Sequence, residues 1–221
     1  MELTTNLSPS EKLKRLDLIR NDPWEFLTQC VYTQDQVDAK TPIKKFPAHF
    51  KYLYVYTRCW QSSLKVAVPK SRRMFMSWAN IALYLWDTMF HVGRYNAFVS
   101  RKEDAAADLV TRAEFIYDHI PEDVIPRDLL PKKSAKHCHL AFPEINSKIQ
   151  GFPQGADQLR QFTFSGILGD ECAFWEDAQK FYAASYPTLE GGGRMTLISS
   201  PGPGFFKALV HDKLDTMGTQ A

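Results

Sequence analysis

Three stretches of the chain bring charged and hydroxyl side chains together behind apolar runs: VAVPKSRRMFMSW (66–78), GILGDECAFWED (166–177) and MTLISSPGPG (195–204). In the first, Lys70, Ser71, Arg72 and Arg73 follow the apolar run, and Met74, Phe75 and Met76 lead to Ser77 at the start of an amphipathic stretch. Binding a phosphate chain requires backbone N–H groups at a helix N-terminus, a cation, and a hydroxyl able to hold magnesium. The stretch supplies the helix start, the cations and the hydroxyl. It departs from the pattern G-x-x-x-x-G-K-[ST]: Lys70 stands at the first glycine, Phe75 at the second and Met76 at the lysine. The competing reading is an ordinary basic turn between strand and helix.

In the second stretch an apolar run delivers Asp170 and Glu171 side by side. Adjacent like charges repel, and a divalent cation is the usual remedy. Where phosphate is hydrolysed, the first acid holds Mg2+ and the second orients the attacking water. Against this stands the simpler view that both acids favour the start of a helix through its dipole. Ser199, Ser200 and Pro201 end the third stretch, as hydroxyls and prolines end many strands. Arg160 lies ten residues before Asp170. It reads either as a surface arginine or as charge offered to a transferring phosphoryl group.

These residues need a scaffold to position them. The chain has 221 residues, 44% of them apolar and 13% aromatic, ample for a buried core. Its formal charge of +2 permits a nucleic-acid partner without arguing for one. Cys30, Cys59, Cys138 and Cys172 lie far apart with no CxxC spacing, and read as reduced, mostly buried thiols of an intracellular protein. The N-terminus has no signal-peptide pattern, and no apolar run approaches the roughly 18 residues of a membrane span.

Ser8-Pro9-Ser10-Glu11 and Asp22-Pro23-Trp24-Glu25 are helix-start signatures, each followed by helical apolar spacing. Residues 32–46 read as a linker, so residues 1–45 form an N-terminal helical extension and 46–221 the main domain. There, strands are expected at 64–68, 96–100, 163–169 and 194–199, and a hairpin around Pro143-Glu144-Ile145-Asn146. Helices are expected after the first strand, after a cap at Ser100-Arg101-Lys102-Glu103, and over 176–187. The alternation argues for an α/β fold with a mainly parallel, helix-covered sheet. Such sheets bind ligands where loops leave the carboxyl ends of strands, and all three clusters fall there. The basic run Lys132, Lys133 and Lys136 reads as a solvated face.

Together the clusters resemble the ATPase domain of the large terminase subunit of tailed bacteriophages. Some terminases carry a deviant phosphate loop, K-S-x-R-x-x-x-S, and Lys70 through Ser77 has that form. Asp170-Glu171-Cys172-Ala173-Phe174-Trp175 is similar to the family's acidic strand and the segment after it. Ser199-Ser200-Pro201 matches its coupling motif, and Arg160 sits near its arginine finger. The resemblance spans about residues 24–210. It departs from the pattern at Phe75, where relatives keep a glycine, and at His49, where an adenine-reading glutamine is expected.

The resemblance implies a P-loop NTPase fold of the ASCE (RecA-like) type, without the C-terminal nuclease domain. It implies ATP and Mg2+ as ligands, with residues 70–77 binding nucleotide, Ser77 and Asp170 holding the metal, and Glu171 and Arg160 acting in catalysis. Ser199 and Ser200 would couple hydrolysis to movement. The partners implied are double-stranded DNA, a homo-oligomeric ring on the procapsid portal, and the terminase small subunit, in the host cytoplasm and without a membrane. A helicase-like motor and a degenerate P-loop assembly module without turnover are the alternatives.

Overall fold

The computed structural model describes residues 8–155, 159–189 and 191–211. Two capped helices begin it. In α1 (Pro9–Asn21) the Ser8 side chain accepts from Glu11 N, and Glu11 accepts in return from Ser8 N, forming the reciprocal box the sequence signals. Asp22 accepts from Trp24 N at 2.8 Å and caps α2 (Pro23–Cys30). Neither helix stands apart from the main domain. Trp86 donates its indole N–H to Ile19 O at 2.8 Å, and Phe26 meets Phe90 edge to face. Their apolar residues share one core cluster with the central helix.

The segment 32–46 holds more structure than a linker: β1 (Tyr32–Gln34) pairs antiparallel with β2 (Ile43–Lys45). Its signal was weak because the two strands have three residues each, and those of β2 are all exposed. Then α3 (Lys51–Ser62) leads to the main sheet.

Seven strands run in the order β3-β9-β8-β4-β7-β6-β5: β3 (Lys65–Pro69), β4 (Tyr95–Ser100), β5 (Ser134–Lys136), β6 (His139–Phe142), β7 (Ser147–Pro153), β8 (Gly166–Asp170) and β9 (Arg194–Ser199). From β3 to β7 neighbours are parallel, and β6 and β5 continue antiparallel. Helices cover the sheet: α4 (Met76–Phe90), α5 (Glu103–Asp118), α6 (Ala178–Ser185) and α7 (Phe205–Val210). Among the described residues no helix is long and apolar enough to cross a membrane.

The sequence suggested one apolar stripe on α4, but Ala79 through Met89 are all buried. This helix is covered on one side by the sheet and on the other by α2 and α5. Its polar residues are therefore paired internally: Asn80 Nδ2 donates to Met76 O at 2.8 Å, and Asp87 accepts from Arg94 and Asn96, each at 2.9 Å. At two points the sheet needs glycine. A Cβ on Gly166 would lie 2.5 Å from Asn96 Oδ1, and one on Gly169 would lie 2.7 Å from the Trp175 ring.

Three local expectations need correction. Ser100 ends β4 instead of capping α5; Lys102 takes the cap position with no side-chain hydrogen bond. The cysteines are not mostly buried: Cys30 and Cys172 are, while Cys59 is exposed and Cys138 half-buried, and all four are free. The basic run is only partly solvated, since Lys133 pairs with Glu114 at 2.6 Å and Asp118 at 2.7 Å.

Candidate active site

Register brings the three clusters together. Pro69 pairs with Ser199 across β3 and β9, and Asp170 pairs with Ile198 across β8 and β9. The residues that follow these pairs leave one edge of the sheet side by side.

After Pro69 the backbone turns sharply. Lys70 N donates to Ser199 O at 2.8 Å, fixing the loop's first residue to the neighbouring strand end. Arg73 has φ 62° and Phe75 has φ 54°, both left-handed. For a residue with a Cβ that conformation costs about 1–2 kcal/mol. The surroundings hold it in place. Tyr52 OH donates to Met74 O at 3.0 Å, Ala79 N donates to Phe75 O at 2.8 Å, and Met76 is buried. The Phe50 ring lies 6.3 Å from that of Phe75. Phe75 therefore adopts the backbone conformation that a glycine would adopt freely, immediately before α4 begins.

Lys70 is 9% exposed, and an unpaired ammonium at that depth would cost several kcal/mol. Its Nζ lies 2.6 Å from Glu171 Oε1 and 3.8 Å from Asp170 Oδ1. Ser77 Oγ donates to Asp170 Oδ2 at 3.0 Å. Glu171 accepts further hydrogen bonds from Ser200 N at 3.0 Å, Ser200 Oγ at 3.3 Å and Ser199 Oγ at 3.3 Å. Ser199 Oγ also accepts from Ala173 N at 3.0 Å. Glu171 itself is left-handed, with φ 55°, which turns its carboxylate back over the strand ends.

The two acids differ electrostatically. Burial raises the Asp170 carboxyl above its ordinary value, against the attraction of Lys70. Burial also pushes Glu171 upward, but hydrogen bonds from Lys70 and Ser200 outweigh it and hold that carboxyl below the usual range. The site therefore keeps one anion bound to a lysine and a second, more deeply buried carboxyl beside a hydroxyl.

Of the residues singled out from the sequence, Lys70, Ser77, Asp170, Glu171, Ser199 and Ser200 thus converge. Ser71, Arg72 and Arg73 are exposed at the loop's outer turn, and Met74 and Phe75 are half-buried. Arg160 is exposed. Sequence reasoning missed Tyr52 and Phe50, which brace the loop from the start of α3. Their only signal was the aromatic density of FPAHFKYLYVYTRCW, where His49 and Phe50 lie ring to ring at 4.1 Å.

No protein-family model and no curated protein matches the sequence. Solved structures do. A mutant of the large terminase ATPase domain of Thermus phage P74-26 matches with a TM-score of 0.54 at 15% identity, over 70% of this chain and 66% of that one. The HK97 bacteriophage large terminase matches at 0.57 and 9% identity, over 83% of this chain and 38% of that one. The large terminase of a thermophilic bacteriophage in complex with ADP matches at 0.53 and 15%, over 71% and 39%. The chain thus spans less than two-fifths of those two large terminases. At such identities the likeness concerns the fold alone: this chain shares the fold of phage large terminase ATPase domains, a mainly parallel sheet flanked by helices.

Proposed function

We propose that the chain is the ATP-hydrolysing motor domain of a viral terminase large subunit, driving double-stranded DNA into a procapsid. The convergence of Lys70, Ser77, Asp170, Glu171, Ser199 and Ser200 at the ends of three adjacent strands carries this reading. A fold shared with a terminase that was determined with ADP supports it.

Lys70 neutralises the phosphate chain, and Arg72 and Arg73, exposed at the loop's turn, add positive charge. Backbone N–H groups of residues 71–77 face the phosphates at the N-terminus of α4. Ser77 Oγ and Asp170 are hard oxygen donors of the kind Mg2+ takes together with substrate phosphates, and would hold that ion. When bound, it neutralises charge on the phosphate oxygens. Glu171 orients the attacking water.

In the described state Lys70 occupies Glu171, so the lysine and the water-orienting carboxylate cannot both be in position for hydrolysis. Phosphate competes for the ammonium and frees the carboxylate. Ser199 and Ser200, bonded to the same carboxylate, register the exchange at the end of β9 and transmit it to the DNA-gripping parts. Arg160 stabilises the transition state from a neighbouring subunit, which implies a ring. That ring sits on the procapsid portal in the host cytoplasm, with the small subunit as partner.

Glu171→Gln should keep Mg2+-dependent nucleotide binding and lose turnover. Undiminished phosphate release by that variant sinks the assignment. Nucleotide binding that ignores Mg2+ favours an assembly module instead.

A further inference from the structure

On the far edge of the sheet, the β5–β6 hairpin closes in two residues. Lys136 pairs with His139, leaving His137 and Cys138 as the turn. Cys138 is left-handed, with φ 56°, in a position that glycine or asparagine fills at less cost. The tip lies over the first turn of α5. His137 Nε2 is 3.7 Å from Glu103 Oε1, and Cys138 Sγ is 4.0 Å from Glu103 O. The ligand atoms of Glu103, His137 and Cys138 all lie within 4.8 Å of one another.

The fold enforces this meeting. Gly151 N donates to Cys138 O at 2.8 Å, tying the tip to β7. Gly151 also lets α5 settle onto that strand, because a Cβ there would lie 3.1 Å from Ala106 O. A carboxylate, an imidazole and a thiol from segments 34 residues apart are thereby held at one point (His137 minus Glu103).

We propose that Glu103, His137 and Cys138 form a transition-metal site, of the kind taken by Zn2+, that fastens the hairpin tip to α5. The donor set selects the metal. Oxygen, nitrogen and sulfur together suit Zn2+ and its neighbours Co2+ and Ni2+, whereas Mg2+ and Ca2+ take oxygen alone. Bonds of about 2.0–2.3 Å around a tetrahedral ion place ligand atoms roughly 3.5 Å apart. Small rotations of the exposed Glu103 and His137 side chains and the half-buried Cys138 bring the three to that spacing, and water completes the coordination. Binding releases the thiol proton to solvent, leaving thiolate on the metal. The site shares no residue with the Asp170–Glu171 cluster, and its test does not depend on turnover. Its role is structural. β5 is exposed at all three residues and, among the described strands, is paired only with β6, so the tip gains most from a second attachment.

Titrating the full chain with Co2+ tests the proposal, since a cobalt–thiolate bond absorbs in the near ultraviolet by charge transfer. The absorption should saturate at one ion per chain and be displaced by Zn2+. Cys138→Gly should abolish it while folding well, because glycine suits the left-handed turn. His137→Ala should weaken affinity by at least the roughly 10–100-fold seen when merely supporting groups are lost. Cys59→Ser, at the exposed thiol, should change nothing. Charge-transfer absorption that survives Cys138→Gly, or the lack of any saturable Co2+ binding in the unmodified chain, overturns the proposal.

Discussion

In the proposed function, Phe75 is the residue at which phosphate-loop chemistry separates from phosphate-loop sequence. What the loop requires is a left-handed turn before the helix, and glycine is only the cheapest way to make one. Here φ is 54° at a phenylalanine, held by Tyr52 and by packing near Phe50. Phe75→Gly should therefore retain nucleotide binding, since the backbone keeps its conformation without the ring. Phe75→Val should not, because a β-branched side chain tolerates positive φ worst. We expect that substitution to cost about 1–3 kcal/mol of stability, read by urea denaturation, and to weaken nucleotide binding. Affinity weakened equally in the two variants would show that the ring itself, and not the turn, is what the site uses. Lys70→Ala should act differently. It removes the partner of Glu171 and, in the proposed function, the cation offered to phosphate, so nucleotide affinity should fall while the turn persists.

Among the elements, those with periodic apolar patterns and explicit start signals were legible. The capping box at Ser8 and the cap at Asp22 form as written, and the apolar strands ending at Asp170 and Ser199 fall within a few residues of expectation. Convergence of Asp170, Glu171 and Ser199 was also legible, because strand ends of a parallel sheet share an edge. Other features were hidden for physical reasons. A buried all-round α4 looks amphipathic when only its most regular stripe is read. The turn at Phe75 is set by Tyr52, Phe50 and the buried Met76, which no local pattern announces. The three-residue strands β1, β2 and β5 are too short to show alternation.

Asp22 gives the N-terminal helices a pH dependence. Burial raises its carboxyl, but the bidentate pair with Arg58 at 2.9 and 2.8 Å and the bond from Trp24 N outweigh this and hold it below its ordinary value. A carboxyl depressed in the folded state binds protons less than in the unfolded chain. Its contribution is therefore complete above the unfolded value, near pH 4, and is lost as pH falls through the folded one. Asp22→Ala should lower stability by about 1 kcal/mol at pH 7 through the cap alone. The gap between variant and parent should narrow in urea titrations carried progressively below pH 4. A gap independent of pH would mean that the ionised carboxylate contributes nothing.

For the whole molecule, the decisive question is whether one chain holds a complete site. Lys70, Ser77, Asp170 and Glu171 come together within a single chain, and Arg160 is exposed. A transition-state arginine is worth roughly 10³–10⁵ in rate. Supplied across a ring, as proposed, it would make hydrolysis a property of the assembly, so specific activity should rise with protein concentration. The same logic allows complementation. In the proposed roles, Glu171→Gln removes a chain's own water-orienting group but leaves its arginine; Arg160→Ala does the reverse. Each variant alone should be inactive, the first for lack of the carboxylate and the second for lack of the neighbour's arginine. Mixed at high concentration, an Arg160→Ala chain seated against a Glu171→Gln neighbour has both groups at one interface, and phosphate release should return. Recovery requires only that some interfaces join the two variants in the productive order. If Arg160 acts within its own chain, no mixture recovers activity, because neither variant ever holds both groups.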